Sequence, residues 1–140
     1  MIRILNLHKS FGSQHVLRGL TLEIPDGSIY TVIGQSGTGK SCLLKHIIGL
    51  MRPDRGEIWI DGTEMTSLRG RALNAVRHRF GMLFQGGALF DSLSVYDNVA
   101  FPLREKTRLK ETEIRRKVHE RLEQVGLPGI DQKFPAELSD

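Results

Sequence analysis

A short run of glycines that ends in a lysine and a serine is the part of this sequence best suited to chemistry. The run reads Gly34-Gln35-Ser36-Gly37-Thr38-Gly39-Lys40-Ser41. Its three glycines allow backbone conformations closed to other residues, so that successive amide groups can turn towards one anion. Lys40 supplies a compact positive charge for the β- and γ-phosphates of a nucleotide, and the Ser41 hydroxyl supplies a ligand for Mg²⁺. The spacing matches the P-loop pattern and predicts that all eight residues bind a nucleotide with Mg²⁺, with Lys40 also active in catalysis.

The segments on either side of this run favour the same interpretation. Residues 28–33 are rich in β-branched side chains, which predicts a strand buried on both faces of a sheet. After Lys40 the apolar residues recur at helical spacing and predict a helix that packs on the sheet. These residues are Leu43, Leu44, Ile47 and Ile48. The order of strand, glycine-rich loop and helix is the context expected of a P-loop, and it argues against a chance match.

Two extended segments precede the loop. Residues 2–7 alternate apolar and polar side chains, which predicts a half-buried strand with Ile4 and Leu7 on opposite faces. A second extended run covers residues 16–24. We expect these segments to form an antiparallel pair joined near Gly12.

Further elements are expected after the loop. Residues 55–62 predict a strand between glycines, and a helix is expected within residues 68–78. A capping pattern at Ser94 predicts a short helix that ends before Pro102. Apolar residues at three- and four-residue steps predict a helix over residues 111–125. The succession of strands and helices predicts an α/β fold.

The composition is typical of a globular domain, with 39% hydrophobic and 26% charged residues among 140. No signal peptide is recognised, and no segment reaches the roughly 20 apolar residues that cross a bilayer. We therefore expect a cytoplasmic protein, or one held at a membrane by its partners. The net charge of +4 comes from basic residues interleaved with acidic ones, which favours solvated helix faces over a nucleic-acid partner. Cys42 is the only cysteine, so an intrachain disulfide is excluded.

Across its whole length the sequence resembles the N-terminal part of an ATP-binding cassette (ABC) ATPase. The resemblance is carried by the P-loop, by the strand pair before it, and by the segments Gly56-Glu57-Ile58, Asp61-Gly62 and Met82-Leu83-Phe84-Gln85. It implies an α/β P-loop NTPase core with an antiparallel β subdomain, ATP as the nucleotide, and a homodimer of ATPase subunits. On this basis we place the partial core and β subdomain in residues 1–95. Residues 96–140 are expected to begin the α-helical subdomain.

The resemblance also implies three site residues outside the P-loop. Phe11 would stack on the adenine, and Val16 would add an apolar contact. Gln85 would be the glutamine that reaches Mg²⁺ and the attacking water, with a role in catalysis. The alternatives are that Phe11 belongs to the hydrophobic core and that Gln85 simply ends a strand.

Residues 81–105 resemble more specifically the ATPases of lipid transporters of the maintenance-of-lipid-asymmetry (Mla) type. That resemblance implies that residues 86–103 receive an integral-membrane permease subunit, and that a mammalian-cell-entry domain protein is a further partner. It also implies a peripheral location on the inner face of the cytoplasmic membrane. Transport of phospholipid or another hydrophobic substrate would be the function.

The sequence departs from the family pattern at its end. Residues 136–139 resemble the approach to the family signature Leu-Ser-Gly-Gly, but Asp140 follows. We therefore expect a chain truncated before the Walker B strand, with deficient ATP hydrolysis. Two alternatives stay open at this stage: a nucleotide-binding fragment without hydrolysis, and a P-loop small-molecule kinase.

Overall fold

The computed structural model describes residues 1–85 and 87–138. The chain divides into two compact units, Met1–Met82 and Leu83–Asp140. The glycine-rich loop belongs to the first unit, and Gln85 belongs to the second.

An antiparallel sheet forms the first part of the first unit. Its strands are β1 (Ile2–Phe11), β2 (Gln14–Ile24), β3 (Arg55–Ile60) and β4 (Thr63–Glu64), in the order β2-β1-β3-β4. Strands β1 and β2 form a hairpin whose turn begins at Gly12, with φ at 58°. The predicted antiparallel pair and its joint near Gly12 are confirmed.

The alternation predicted for residues 2–7 is wrong at one point. Ile4 and Leu7 are both fully buried in the same core, because the strand carries an irregularity between them. Asn6 takes a φ of 50° at this bulge, and Gly56 on β3 lies opposite it. A Cβ on Gly56 would lie only 2.4 Å from the Asn6 carbonyl oxygen, so the bulge needs a glycine there.

Two helices complete the first unit: α1 (Lys40–Ile47) and α2 (Gly70–Arg77). Helix α1 buries Leu43 and Ile47 against the sheet, as predicted, but Leu44 is 41% exposed. His46 takes the third buried position on the helix and is 1% exposed. The core of the unit comprises Ile4, Leu7, Leu17, Leu43, Ile47, Ile58, Ile60, Met65, Leu73 and Val76.

The strand predicted at residues 28–33 is absent. These residues have no regular secondary structure, and Ile29 and Ile33 are 98% and 89% exposed. A strand buried on both faces needs a hydrogen-bonded neighbour. Within the described residues, none pairs with this segment. Its β-branched composition alone is insufficient to make it a strand.

The second unit is helical. It contains α3 (Val95–Lys106), α4 (Glu111–Gln124) and a short 3₁₀ helix at Pro135–Glu137. The Ser94 hydroxyl caps α3 by accepting the Asp97 amide at 3.1 Å, and α4 agrees with its prediction. The two helices enclose a small core of Val95, Ala100, Ile114, Val118 and Leu122.

The predicted end of α3 before Pro102 is wrong, since the helix continues to Lys106 with Pro102 inside it. Pro102 faces solvent. The carbonyl that loses its amide donor can therefore be hydrated, which lets the helix pass through the proline. Over residues 1–85 and 87–138, no helix is both long enough and apolar enough to cross a bilayer.

Candidate nucleotide-binding site

The glycine-rich loop uses its glycines in two different ways. Gly37 and Gly39 have φ values of 79° and 98°, a region that favours glycine. Gly34 lies outside that region, contrary to the prediction that all three glycines serve unusual backbone conformations. A glycine is needed at this position for a steric reason, because a Cβ there would lie 2.9 Å from the Thr38 hydroxyl oxygen. The loop therefore depends on conformation at two positions and on space at the third.

The Lys40 side chain folds back over the start of the loop. Its Nζ donates to the carbonyl oxygens of Gly34 and Gln35, each at 2.7 Å. The Thr38 hydroxyl donates to the same Gln35 carbonyl at 2.8 Å. An ammonium group has three hydrogens, so one donor of Lys40 remains for a ligand. These bonds hold a positive charge beside the loop.

Helix α1 begins directly at Lys40 and points its N-terminus at the loop. Gly39 occupies the N-cap position without a side-chain cap, and the first turn contains no acidic residue. The first amide groups of a helix lack intrahelical acceptors and carry a partial positive charge. Ser41 lies exposed in this first turn. The amides and the ammonium group can donate hydrogen bonds to a polyphosphate, and the Ser41 hydroxyl oxygen can coordinate Mg²⁺.

Strand β2 borders the loop directly. Val16 lies so close to Gly39 that a Cβ on the glycine would be 2.7 Å from Val16 Cγ1. A cleft of about 500 Å³ runs between this strand and the loop. Its lining consists of Val16, Leu17, Arg18, Gly19, Leu20, Val32, Ile33, Gly34, Thr38, Gly39, Lys40 and Leu43. None of these described residues is acidic, and Arg18 and Lys40 are basic, so the cleft favours an anion.

Phe11 lies at the hairpin end of β1 and does not line the cleft. Its side chain is 49% exposed, so it is no part of the buried core. The Lys9 ammonium lies 5.5 Å from the centre of the Phe11 ring. The structure thus brings Val16 to the loop and presents Phe11 as a half-exposed aromatic surface. The stacking of Phe11 on adenine stays a prediction.

Gln85 lies in a turn of the second unit, with its side chain exposed. The following backbone is unusual, since Gly87 and Ala88 have φ values of 74° and 54°. The role of Gln85 at the nucleotide stays a prediction. Gly86, Ser139 and Asp140 lie outside the described residues, so the structure describes the approach to the signature motif only as far as Leu138.

Several residues near the site were missed by sequence analysis. Arg18 lines the cleft, and Asp54 binds the strand segment that carries Phe11. His46, buried behind the loop on α1, donates through Nδ1 to the Cys42 carbonyl at 2.7 Å. Burial raises the pKa of the Cys42 thiol, which keeps it neutral. No sequence pattern marks these residues, because each contact joins positions whose proximity depends on the fold.

The sheet, the glycine-rich loop and the helix that starts at Lys40 define a P-loop protein. Within that class, the chain belongs to the ABC transporter family, whose model matches residues 17–140.

Individual relatives agree with this assignment. The chain is 52% identical to a protein of Mycobacterium leprae named "Probable ribonucleotide transport ATP-binding protein mkl", over 99% of this chain and 40% of the relative. It is 46% identical to the "Intermembrane phospholipid transport system ATP-binding protein MlaF" of Haemophilus influenzae, over 99% of this chain and 53% of the relative. The chain therefore spans about half or less of the length of these curated relatives.

A solved structure shows the same fold. It is the dimeric post-hydrolysis state of an ATP-binding cassette bound to ADP and Pi. The TM-score is 0.85 at 30% sequence identity, and the match covers 99% of this chain and 63% of that one. The predicted resemblance to ABC ATPases is confirmed.

Proposed function

We propose that this chain is the nucleotide-binding part of the ATPase subunit of an ABC transporter. In this proposal residues 1–95 contribute the partial ATPase core and β subdomain, and residues 96–140 begin the helical subdomain. The observation that carries the proposal is the geometry at Lys40, whose ammonium group is bonded within the loop at 2.7 Å and lies at the start of α1. Family membership favours this proposal over a P-loop small-molecule kinase.

The proposed chemistry is phosphoryl transfer from ATP to water. The loop amides from Gly34 to Ser41 hold the phosphates, and the free donor of Lys40 binds between the β- and γ-phosphates. The Ser41 hydroxyl and the Gln85 side chain hold Mg²⁺, which neutralises charge on the same phosphates when bound. Gln85 also orients the attacking water. Phe11 and Val16 hold the adenosine by stacking and apolar contact.

The proposed coupling partner is an integral-membrane permease that contacts residues 86–103. In support, Leu89, Phe90 and Phe101 in this stretch are 54%, 50% and 42% exposed. The rings of Phe90 and Phe101 pack with their centres 5.1 Å apart, which forms a preorganised aromatic surface. The subunit would be a homodimer, as in the similar cassette, and peripheral on the inner face of the cytoplasmic membrane.

The proposed substrate is phospholipid or another hydrophobic molecule, with a mammalian-cell-entry domain protein as a further partner. The relative named for phospholipid transport supports this choice, and the one named for ribonucleotide transport makes ribonucleotides the second candidate. The complete subunit, purified with its permease in lipid-free detergent micelles, separates the two. Stimulation of ATP hydrolysis by phospholipid but not by ribonucleotides supports lipid transport, and the reverse result overturns it.

Nucleotide binding is tested by calorimetric titration of ATP with and without Mg²⁺. The matched pair of variants is Lys40→Ala in the loop and Lys45→Ala on the exposed face of the same helix. Lys40→Ala is expected to weaken ATP binding by about 10-fold or more, since one charge-assisted contact contributes about 1.5–3 kcal/mol. Lys45→Ala is expected to bind as the wild type does. Equal affinities of the two variants would refute the assignment of the loop.

Hydrolysis is tested separately by single-turnover assays with radiolabelled ATP. Release of phosphate to water supports the ATPase. Binding without phosphate release identifies a non-hydrolysing nucleotide-binding chain, and transfer to an added small-molecule acceptor identifies a kinase.

A further inference from the structure

Asp54 makes three contacts with consecutive residues of β1, just before Phe11. Its amide donates to the His8 carbonyl at 2.9 Å. Its carboxylate accepts from the Lys9 ammonium at 3.0 Å through Oδ1, and from the Ser10 amide at 2.7 Å through Oδ2. Both carboxylate oxygens are therefore bonded to the segment that carries the aromatic ring.

These contacts occur where the sheet leaves β1 without a neighbour on one side. The pairing of β1 with β3 ends at His8 and Arg55. The Ser10 amide lies beyond this last pair. Asp54 immediately precedes β3, and its side chain supplies the acceptor that a longer strand would supply. The carboxylate thus extends the bonding of the sheet to the residue before Phe11.

Lys9 connects the same carboxylate to the ring itself. Its ammonium lies 3.0 Å from Asp54 Oδ1 and 5.5 Å from the centre of the Phe11 ring. The Lys9 side chain is only 17% exposed. A cation held over one face of an aromatic ring attracts that face and restricts the ring's rotation. The ring's orientation therefore depends on Asp54 through Lys9.

We propose that Asp54 is a positioning residue for base recognition: it fixes Lys9 and Ser10 so that Phe11 presents a preorganised face to the adenine. This inference rests on the proposed function, in which Phe11 stacks on the base. The hydrogen-bonded carboxylate contacts no phosphate-binding residue in the described chain. Its removal should therefore weaken binding of the adenosine and leave binding of the phosphates unchanged.

The test compares the affinity for ATP with the affinity for inorganic tripolyphosphate, which has no base. Asp54→Ala removes both carboxylate bonds. Lys9→Met removes the cation over the ring together with its bond to Asp54, and it keeps the bond from the Ser10 amide to Asp54. The matched control is Glu23→Gln, which removes a carboxylate paired with Arg3 at 3.4 Å elsewhere on the same hairpin. Circular dichroism and a thermal melt of each variant measure the fold.

Phe11→Ala is the reference variant, with an expected loss of about 5- to 150-fold in ATP affinity, as for base stacking on aromatic residues. Asp54→Ala should lose about 3- to 10-fold and Lys9→Met a smaller part of this, because preorganisation is one component of the stacking energy. Tripolyphosphate affinity should stay within about twofold in all three variants, and Glu23→Gln should match the wild type.

The outcomes separate the two proposals. If Phe11→Ala lowers the ratio of ATP to tripolyphosphate affinity and neither Asp54→Ala nor Lys9→Met does so, the positioning role is overturned and the stacking role stands. If Asp54→Ala weakens both ligands equally, its effect is structural and the inference is also overturned. If Phe11→Ala leaves the ratio unchanged, the stacking assignment itself fails. Loss of tripolyphosphate binding in Lys40→Ala reports on the loop independently.

Discussion

Gly39 and Val16 lie so close that a methyl group on the glycine would meet Val16 Cγ1 at 2.7 Å. The glycine-rich loop and strand β2 can therefore pack this closely only because Gly39 has no side chain. Gly39 also has a φ of 98°. Both the contact and the conformation oppose substitution.

We predict that Gly39→Ala is more damaging than Gly37→Ala. At Gly37 the φ is also positive, but a Cβ added there would meet nothing within 4 Å, so only backbone strain of about 1–2 kcal/mol applies. At Gly39 the steric conflict adds to that strain, and a total loss of about 2–4 kcal/mol is expected. Chemical denaturation and ATP titration of both variants measure the difference. Equal losses would show that the contact with Val16 has no energetic effect.

Ser41→Ala should reduce the dependence of nucleotide affinity on Mg²⁺. In the wild type the hydroxyl at the start of α1 is proposed to bind the metal, so Mg²⁺ should increase ATP affinity. In the variant Gln85 remains as the other proposed side-chain ligand, so the ratio of the affinities with Mg²⁺ and with a chelator should fall by about twofold or more, a free-energy change of at least about 0.4 kcal/mol. Ser28→Ala is the control, since this hydroxyl donates to the Pro25 carbonyl outside the loop. A full Mg²⁺ effect in Ser41→Ala would contradict the assignment.

The second unit should lose stability in acid through Glu111. The Arg104 guanidinium binds this carboxylate at 2.6 Å and 3.2 Å, Tyr96 donates to it at 2.8 Å, and these bonds lower the pKa of Glu111 to about 2. A lowered folded-state pKa means that the stabilisation is complete above the ordinary value of 4.5 and is lost as the pH falls towards about 2.

Glu111→Gln should therefore lower the melting temperature at neutral pH, and its difference from the wild type should vanish near pH 2. Glu120→Gln is the control, because Glu120 makes a single exposed bond to Arg116 at 2.8 Å. Its effect at neutral pH should be the smaller of the two. Thermal melts of both variants and the wild type at pH 2 to 7 measure these differences in melting temperature. A difference that persists unchanged at low pH would exclude the carboxylate as its cause.

Ile29 should influence association more than folding. Its side chain is 98% exposed, so Ile29→Lys is expected to change the free energy of unfolding by less than about 0.5 kcal/mol. It should reduce concentration-dependent association, because it places a charge in an exposed β-prone segment. Light scattering over a concentration series checks this. Ile58→Lys, at a fully buried position, is the contrasting variant and should unfold the sheet.

The P-loop and its helix could be predicted because local sequence determines them. Gly37, Gly39 and Lys40 serve the loop through conformation and charge, and Leu43 and Ile47 reveal the helix by their spacing. The hairpin was predictable for the same reason, since alternation and a glycine turn are local signals.

The remaining features depend on neighbours distant in sequence. The bulge at Asn6 reverses the face of Leu7 and requires Gly56 on another strand. The segment before Gly34 has strand composition but no hydrogen-bonded partner within the described residues. Asp54 meets Lys9 only because β1 and β3 pair. Periodicity carries no information on such contacts.

Pro102 lies inside α3 and removes one backbone hydrogen bond from the helix. A proline has no amide hydrogen, so the carbonyl one turn earlier, at Asn98, lacks the donor that would complete its intrahelical bond. A helix bends most easily where such a bond is missing. Bending there would tilt the two halves of α3 against each other.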